Sequence, residues 1–266
     1  MKSTTINDIV AFLDATFHPE YQEDYDNAGF LLGDGQAPYR GALVALDLTP
    51  EVVDEAIAHH LNLIATHHPF IFSGLKRITN RTETGRMTLK LIQNGIAVYA
   101  AHTNLDNLPW GVNGALSEQL GLCDCKILSP LGGEIGAGMV GELSEAMDAD
   151  AFLQKVKAVL GIPTLRTSPL NAKHLSLNAI KRVAICGGSG AQFIPDAIAA
   201  GADLYLTADL KYHDFQRAEG RIVLVDAGHY ETEQFAKEII SRTISEKFSN
   251  FACRISSSQG SIVQYI

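Results

Sequence analysis

The chain has 266 residues, of which 46% are hydrophobic and 19% are charged, so it can bury a sizeable core in one large domain or two of typical size. Its formal net charge of -9 argues against binding to a nucleic-acid backbone, which depends on clustered Lys and Arg. No apolar run reaches the roughly 18 residues that span a bilayer. The four cysteines form no C-x-x-C pair and are expected as free thiols in the cytoplasm.

The predicted elements begin with an amphipathic helix, whose apolar face is formed by Ile6, Ile9, Val10, Leu13 and Phe17. Strands and helices then alternate, with a strand at 41–48, a helix at 50–60, a strand ending before His67, a helix around 84–94 and a strand at 96–103. This alternation predicts parallel sheet covered by helices. Ligands of such sheets gather beyond the carboxyl ends of the strands.

An internal similarity indicates two related lobes. Residues 56–68 align without gaps with residues 197–209, with five identities in 13 positions. Just upstream, residues 44–51 lie opposite residues 183–190, two residues out of phase. With these stretches included, both copies predict a strand, a turn, a helix and a second strand, which favours an ancient duplication over chance similarity. We therefore predict an α/β fold of two similar lobes, each a sheet covered by helices. A Gly-rich, less apolar stretch at 128–145 places the lobe boundary near residue 125.

The strongest candidate for a functional site follows the predicted strand 222–225. Gly228 allows a tight turn, and a helix follows whose apolar face carries Phe235, Ala236, Ile239, Ile240 and Ile244. His229 and Glu233 are four residues apart in the first turn and therefore point the same way, as two ligands of one metal ion would. Alternatively, His229 caps the helix and Glu233 interacts favourably with its dipole.

A second candidate is the pair His67 and His68, which ends another apolar strand. Adjacent side chains on a strand face opposite sides, but Pro69 favours a turn that could aim both rings at neighbouring ions. The alternative is a chance pair in a loop. His59 and His60 show how easily such a pair arises, because they end a helix without a nearby carboxylate and are interpreted as solvated.

A third candidate follows the strand at 96–103. Asp106 could bridge two ions, and His102 could be a ligand but is better interpreted as lining the pocket. A fourth cluster ends the strand of the second repeat, where Asp209 and His213 are interpreted as pocket residues rather than ligands. No Walker loop and no G-x-S-x-G motif occur, and the CGGSG stretch at 186–190 lacks the spacing of a dinucleotide site.

Taken together, the candidates at these strand ends supply three imidazoles and two carboxylates, the mixture that two-metal hydrolytic centres use. The predicted ligands are His67, His68, Asp106, His229 and Glu233. They imply two divalent metal ions per chain. Because imidazole and carboxylate suit zinc, iron, manganese or nickel, the identity of the metal stays open.

Several stretches of the sequence resemble the Nif-three-like family, whose bacterial members are called GTP cyclohydrolase 1 type 2 homologues. The matching stretches are DYDNAGFLLG (24–33), the strand before Asp47, THHP with the following Phe70, AHTNLDN with GVN, LTADLKYHD and DAGHYETE. The resemblance implies the same five ligands, a dinuclear metal site in the cleft between two lobes, and a ring-shaped hexamer. It also implies that the C-terminal segment 229–266 completes the first lobe, 1–125, and that 126–228 forms the second.

Two functions remain open, and a third, nucleic-acid handling inside a ring, would require a basic inner surface on this acidic chain. The first is a metal-dependent hydrolase that acts on a nucleotide or a related phosphorylated small molecule, with His102 and His213 as candidates for catalytic proton transfer. Lys76 and Lys211 would be the cations nearest to its phosphates. The second is a non-catalytic metal-binding or regulatory ring protein that uses the same ligands. The residue types do not distinguish the two, because they do not report whether a coordination position is open.

Overall fold

A computed structural model describes residues 3–170, 179–258 and 260–264. The chain divides into two compact units, the first comprising Met1–Leu105 and Ala236–Gly260 and the second Asp106–Phe235 and Ser261–Ile266. The predicted lobe boundary at residue 125 falls inside a strand, Leu122–Gly132. The compact units instead divide the chain after Leu105 and after Phe235.

The first unit contains a five-stranded sheet in the order β1-β4-β3-β2-β11. Its strands are β1 (Gly29–Leu32), β2 (Gly41–Ala45), β3 (Leu63–Thr66), β4 (Ala97–Ala100) and β11 (Ala252–Ile255). The pairs within β4-β3-β2-β11 are parallel, and β1 is antiparallel to β4. Every residue of β2, β3 and β4 is buried, as expected for parallel strands with both faces covered.

Helices cover the sheet of the first unit on both faces. They are α1 (Ile6–Phe17), α2 (Pro50–Ala58), α3 (Glu83–Asn94) and α10 (Ala236–Lys247), with a 3-10 turn at Pro19–Tyr21. Val98 of β4 packs into a core cluster with α2 and α3. The next residue, Tyr99, points to the opposite face and donates its hydroxyl to Asp14 of α1 at 3.0 Å. The predicted apolar face of α1 is confirmed, because its five residues are buried.

The second unit contains a six-stranded mixed sheet in the order β5-β6-β8-β9-β10-β7. Its strands are β5 (Leu122–Gly132), β6 (Ile135–Asp148), β7 (Arg166–Thr167), β8 (Ala179–Ser189), β9 (Leu204–Ala208) and β10 (Val223–Asp226). The pairs β8-β9 and β9-β10 are parallel, whereas β5, β6 and β7 pair antiparallel with their neighbours. The Gly-rich stretch that suggested a boundary belongs to the β5-β6 hairpin.

Two apolar clusters cover the faces of the second sheet. The helices of this unit are α5 (Val112–Gln119), α6 (Ala149–Leu160), α7 (Ile194–Ala199), α8 (Tyr212–Gln216) and α9 (His229–Glu233), with a 3-10 turn at Ala191–Phe193. On one face, Phe152 of α6 packs with Leu204 of β9. On the other, Ile194 of α7 packs with Tyr205. The short helix α4 (Thr103–Asp106) lies where the chain passes from the first unit to the second.

The prediction of a single helix after Gly228 is wrong. The helix stops at Glu233, and a second one begins at Ala236. The predicted apolar face in fact serves two cores, because Phe235 packs against the second unit's cluster while Ala236 begins the part of the chain that returns to the first unit. The free state of the four cysteines is confirmed. None of the described helices is long and apolar enough to cross a membrane.

Candidate metal centre

The pair His67 and His68 lies in a tight turn directly after β3. The backbone N–H groups of both residues donate to the carbonyl of Leu46, at 3.2 and 2.9 Å, and the Thr66 hydroxyl donates to the carbonyl of His68 at 2.8 Å. The chain therefore leaves the extended conformation, in which the two rings would face opposite sides. The ring centroids lie 5.0 Å apart, so the turn predicted from Pro69 is confirmed.

His102 joins this pair. Its ring centroid lies 5.3 Å from that of His67 and 5.4 Å from that of His68. One potential ligand atom from each of the three rings lies within 4.8 Å of the other two, so this group could hold a metal ion. His67 is fully buried, and the other two are half-buried. The cluster belongs entirely to the first unit.

Each ring in this cluster is held through its Nδ1 atom by an oxygen acceptor. Nδ1 of His67 lies 2.7 Å from the carbonyl oxygen of Ala101, and Nδ1 of His68 lies 2.6 Å from Oδ1 of Asp47. A carbonyl or a carboxylate can only accept, so Nδ1 carries the proton and Nε2 carries the lone pair. Histidines that ligate metals are oriented in this way in proteins.

Asp26 holds His102. Its Oδ1 accepts from Nδ1 of His102 at 2.7 Å, and its Oδ2 accepts from the backbone N–H and the hydroxyl of Thr103. Burial alone would raise the pKa of Asp26, but the hydrogen bonds from His102 and Thr103 outweigh it and lower the pKa to about 2. Asp26 is therefore a carboxylate at neutral pH, and it fixes the proton of His102 on Nδ1.

In the second unit, His229 and Glu233 are brought together as the sequence predicted. Gly228, with a φ of 83°, turns the chain from β10 into α9, and the four-residue spacing places both side chains on the same side of the helix. Nε2 of His229 lies 3.0 Å from Oε2 of Glu233. Glu233 is buried. This convergence of an imidazole nitrogen and a carboxylate oxygen is the arrangement expected of two side chains that bind one metal ion.

His229 has an orienting carboxylate too. Its Nδ1 lies 2.7 Å from Oδ2 of Asp209, which directly follows β9 and has a positive φ of 57°. Asp and Asn are among the few residues that adopt this left-handed conformation readily. Asp209 was predicted as a pocket residue, and its position explains how it contributes: it fixes the ring of His229 rather than offering a ligand of its own.

Glu233 occupies space that a glycine leaves open. A Cβ atom added to Gly188 would lie 2.0 Å from Oε1 of Glu233, and the φ of Gly188 is 61°. The backbone of this stretch is held by side chains, because Gly188 N–H donates to the Thr232 hydroxyl at 2.9 Å and Gly187 N–H donates to Asn113 at 2.8 Å. The CGGSG stretch thus continues β8 and supports the carboxylate of Glu233.

Asp106 closes α4, and its carbonyl accepts from Asn113 at 3.1 Å. The carboxylates of Asp106 and Glu233 both act on Cys186, which is fully buried. Burial raises the pKa of the Cys186 thiol, and the two negative charges raise it further. The second unit thus places the two predicted carboxylate ligands close enough to influence the same side chain.

The chemistry of these donors fits divalent transition metals. Neutral imidazole and carboxylate are ligands that zinc, iron, manganese and nickel accept. Each predicted ligand histidine has the hydrogen-bonded Nδ1 atom that metal sites require.

Three other predicted residues lie apart from these ligands. His213, predicted for proton transfer, is exposed on α8, and its Nδ1 lies 3.1 Å from Oε1 of Gln216. Among the described residues it belongs to no cluster of potential ligands. Lys76 and Lys211 are exposed. Asp26 and Asp47, which orient His102 and His68, were not predicted from the sequence. The only signal for them was that Asp26 lies in a stretch that carries the family resemblance and Asp47 directly follows another.

The chain is similar to known proteins over nearly its whole length. A family model described as Duf34/NIF3 (NGG1p interacting factor 3) matches residues 4–261. A protein of Clostridium perfringens named GTP cyclohydrolase 1 type 2 homolog is 36% identical over 251 residues, which cover 92% of this chain and 93% of that one. A protein of the same name from a Nostoc species is 37% identical over 232 residues, covering 86% and 87%.

Solved structures of similar proteins have the same fold as this chain. A Bacillus cereus protein related to NIF3 matches all of both chains with a TM-score of 0.90 at 24% identity, which establishes the fold. A hypothetical protein of Staphylococcus aureus matches all of both chains with a TM-score of 0.89 at 30% identity.

Proposed function

Because the chain belongs to the Duf34/NIF3 family, and because its histidines are held as metal ligands are held, we propose that it is a metal-dependent hydrolase. Its substrate would be a nucleotide or a similar phosphorylated small molecule. Two divalent ions per chain would be bound by His67, His68, Asp106, His229 and Glu233. The same proposal includes assembly into a homo-hexamer in the cytoplasm.

One observation carries the proposal. Three histidines from two separate strand ends each direct Nδ1 at an oxygen acceptor between 2.6 and 2.7 Å away. A solvated surface histidine gains little from such an arrangement, whereas a metal ligand needs it to fix its tautomer and its direction. Thus His67 and His68 are prepared to offer Nε2 to an ion, and His229 directs its Nε2 towards Glu233, the carboxylate proposed to bind the same ion.

When bound, the ions would act as Lewis acids and lower the pKa of water to near neutrality. The chain's own contribution to proton transfer would come from His102. Asp26 keeps the proton of His102 on Nδ1, so Nε2 can accept a proton from water or from the substrate and return it later. His213 is less suited to this task, because it is exposed and Gln216 is its partner.

The substrate class rests on similarity. The relatives from Clostridium perfringens and Nostoc are named for a GTP cyclohydrolase, and opening a guanine ring is a hydrolytic reaction that a Lewis-acidic centre can support. GTP is therefore the first compound to test. Names shared through similarity are a weak guide to chemistry, so other nucleotides and phosphate esters belong in the same screen.

The first experiment measures the metal content per chain by plasma mass spectrometry. The wild-type protein is compared with the double variant His229→Ala, Glu233→Ala. The control is His59→Ala, which removes an exposed histidine that ends α2. We expect about two ions per chain in the wild type and in the control, and a large loss in the double variant. A folded wild-type chain that stays metal-free after incubation with zinc, iron and manganese would contradict the proposal.

Turnover is tested on the reconstituted protein with GTP, other nucleotides and simple phosphate esters. We expect hydrolysis of at least one of them that is lost in the double variant and strongly reduced in His102→Gln. Retained metal without hydrolysis of any compound would favour the non-catalytic metal-binding or regulatory role instead.

A further inference from the structure

The segment 70–81, which connects the turn after β3 to α3, differs from the rest of the chain in charge. The whole chain has 30 acidic and 21 basic residues, but this segment carries three cations and neither Asp nor Glu. The cations are Lys76, Arg77 and Arg81, and all three are exposed. Within the described residues, no carboxylate pairs with their side chains. The segment is thus a basic stretch on an acidic protein.

The same segment exposes apolar side chains beside the histidine cluster. Phe72 is 49% exposed, and its ring centroid lies 6.3 Å from that of His102, with an interplanar angle of 78°. The Tyr25 ring centroid also lies near Phe72, at 6.4 Å. An aromatic ring that is half exposed to water, next to a candidate metal ligand cluster, offers a flat apolar surface to a bound molecule.

Phe72 is held in this position by the stretch that orients His102. The Asn27 side chain donates to the carbonyl of Ile71 at 2.6 Å, which fixes the backbone next to Phe72. The preceding residue, Asp26, accepts from His102, and Tyr25 contacts the Phe72 ring. Three consecutive residues therefore connect the exposed aromatic ring to the candidate proton acceptor. A surface that is fixed before binding loses less conformational entropy when it binds.

We propose that segment 70–81 recognises the substrate, and that this substrate is a phosphate ester with a planar ring. Phe72 stacks on the ring, and Arg77 with its neighbouring cations binds the phosphate. The inference rests on the proposed function, because it places the recognised molecule next to His67, His68 and His102. It also extends that function, because a metal centre by itself selects neither a ring nor a phosphate.

Charge complementarity favours this ligand over other occupants. A chain with a net charge of -9 repels a phosphorylated molecule at long range, so a segment with three cations and no Asp or Glu favours binding of that molecule there. Stacking of a base on an aromatic side chain adds a contribution that tolerates different bases. An exposed aromatic ring next to exposed cations fits a nucleotide better than a purely apolar or a purely anionic ligand.

The test uses three probes that separate ring from phosphate: GMP, guanosine and ribose 5-phosphate. Calorimetry measures their binding to the full-length, metal-loaded protein. For Phe72→Ala we expect about tenfold weaker binding of GMP and guanosine, with little change for ribose 5-phosphate. For Arg77→Glu we expect about tenfold weaker binding of GMP and ribose 5-phosphate, with little change for guanosine. Phe72→Tyr keeps the ring and should restore the affinity.

The control for charge is Arg40→Glu, which makes the same change at an exposed residue just before β2, at the opposite end of that strand from the metal ligands. Arg40→Glu should leave all three affinities unchanged. Metal content is measured for every variant, so loss of metal counts against the proposed function and not against this inference. Equal affinities in Phe72→Ala, Arg77→Glu and the wild type would overturn the inference, as would a metal-loaded wild type that binds none of the probes. A changed oligomeric state with unchanged affinities would also overturn it, because the segment would then be an interface between subunits.

Discussion

The two repeated strand–helix–strand segments, β2-α2-β3 and β8-α7-β9, have similar backbones, but their candidate functional side chains lie at different positions. In the first unit Ala42 of β2 pairs with Leu63 of β3, and in the second Val183 of β8 pairs with Leu204 of β9. The offset is the same for both strands, since 183 − 42 and 204 − 63 both equal 141. Up to Ile185 the parallel pairs therefore have one register, and positions 141 residues apart correspond. Beyond Ile185, β8 shifts by two residues relative to β9, because Ser189 pairs with Ala208.

At the strand ends the residues at corresponding positions have different roles. His68 aligns with Asp209 in the sequence. The same offset of 141 matches Asp47 with Gly188, which lies in the stretch where β8 shifts register. In the first unit Asp47 orients the candidate ligand His68. In the second unit Asp209 orients the candidate ligand His229, and Gly188 leaves room for Glu233. A shared backbone frame thus fixes where a side chain can act, while the residue type decides whether it offers a ligand, orients one or makes space.

The largest effect is expected from filling the space at Gly188. Gly188→Ala places a Cβ atom where Oε1 of Glu233 lies, at 2.0 Å, so the carboxylate must move. We expect a loss of metal affinity beyond the roughly 100-fold that removing an orienting partner costs, and a loss of unfolding free energy of about 2–3 kcal/mol. Metal titration and urea unfolding measure the two quantities.

Gly201→Ala is the matched control for this change. Gly201 has a similar φ of 70°, but a Cβ atom added there meets nothing within 4 Å. It should therefore cost only the backbone strain of about 1–2 kcal/mol and leave metal binding unchanged. If both variants bind metal equally well, Gly188 does not make space for a metal ligand. The proposed difference in role between Asp47 and Gly188 would then be wrong.

The second prediction concerns the orienting carboxylates in the two units. Asp47→Ala and Asp209→Ala each remove the acceptor of one ligand histidine, so each should weaken metal binding about 10–100-fold. The control is Asp54→Ala, which removes an exposed carboxylate of α2 that pairs with Lys90. Metal titration that shows a loss for only one of the two variants would mean that the units do not contribute equivalent ligands.

Local patterns in the sequence predict much of this frame. The apolar runs predict β2, β3 and β4, the spacing of four predicts the convergence of His229 with Glu233, and Pro69 predicts the turn that aligns His67 with His68. Each of these features depends on neighbours in the chain. Hydrophobic periodicity and helix geometry are therefore sufficient to find them.

The remaining features depend on contacts between distant segments. Asp26 lies 76 residues before the ring that it orients, and Asp47 lies 21 residues before His68. Nothing in the local pattern distinguishes these carboxylates from solvated ones. The interruption between α9 and α10 was missed for a related reason, because one apolar stripe is divided between two cores, and a stripe does not reveal how many cores it serves.

The third prediction concerns the strands that pair with β2 and β8 on the side away from β3 and β9. β2 pairs with the C-terminal strand β11 in parallel, whereas its counterpart β8 pairs with β6 in antiparallel. Glu55 of α2 holds the end of β11, because its carboxylate accepts from the Ser256 hydroxyl at 2.6 Å and from the N–H groups of Ser257 and Ser258. Glu55→Gln should lower the unfolding free energy by about 1 kcal/mol and speed hydrogen exchange in β11. Glu246→Gln, at an exposed position of α10, should change neither.

This contact also depends on pH. Partial burial would raise the pKa of Glu55, but the hydrogen bonds from the serines outweigh it and lower the pKa from 4.5 to about 2. The stabilising contribution is therefore complete above about pH 4.5 and is lost as the pH falls towards 2. The wild type and Glu55→Gln should converge in stability across that range. A constant difference between pH 7 and pH 2.5 would contradict the assignment.

The smallest effect should come from the threonines that correspond in the two frames, Thr66 and Thr207. Both are fully buried; Thr66 donates to the carbonyl of His68 at 2.8 Å, and Thr207 donates to the carbonyl of Gly188 at 3.0 Å. Thr66→Val and Thr207→Val keep the shape of the side chain but leave a buried carbonyl with one hydrogen bond fewer, which should cost about 1 kcal/mol in each case. Urea unfolding measures that cost.

A threonine in a helix serves as the control, because it separates the stability lost with any buried hydrogen bond from a specific loss of metal binding. Thr88→Val in α3 removes a similar buried hydrogen bond, to the carbonyl of Thr84, far along the chain from either strand end. All three variants should be destabilised alike, but only Thr66→Val and Thr207→Val should also weaken metal binding, by a few-fold, because their acceptors position His68 and the glycine beside Glu233. If all three bind metal like the wild type, the threonines stabilise the fold alone, and the functional correspondence of the two units is limited to the carboxylates and the glycine.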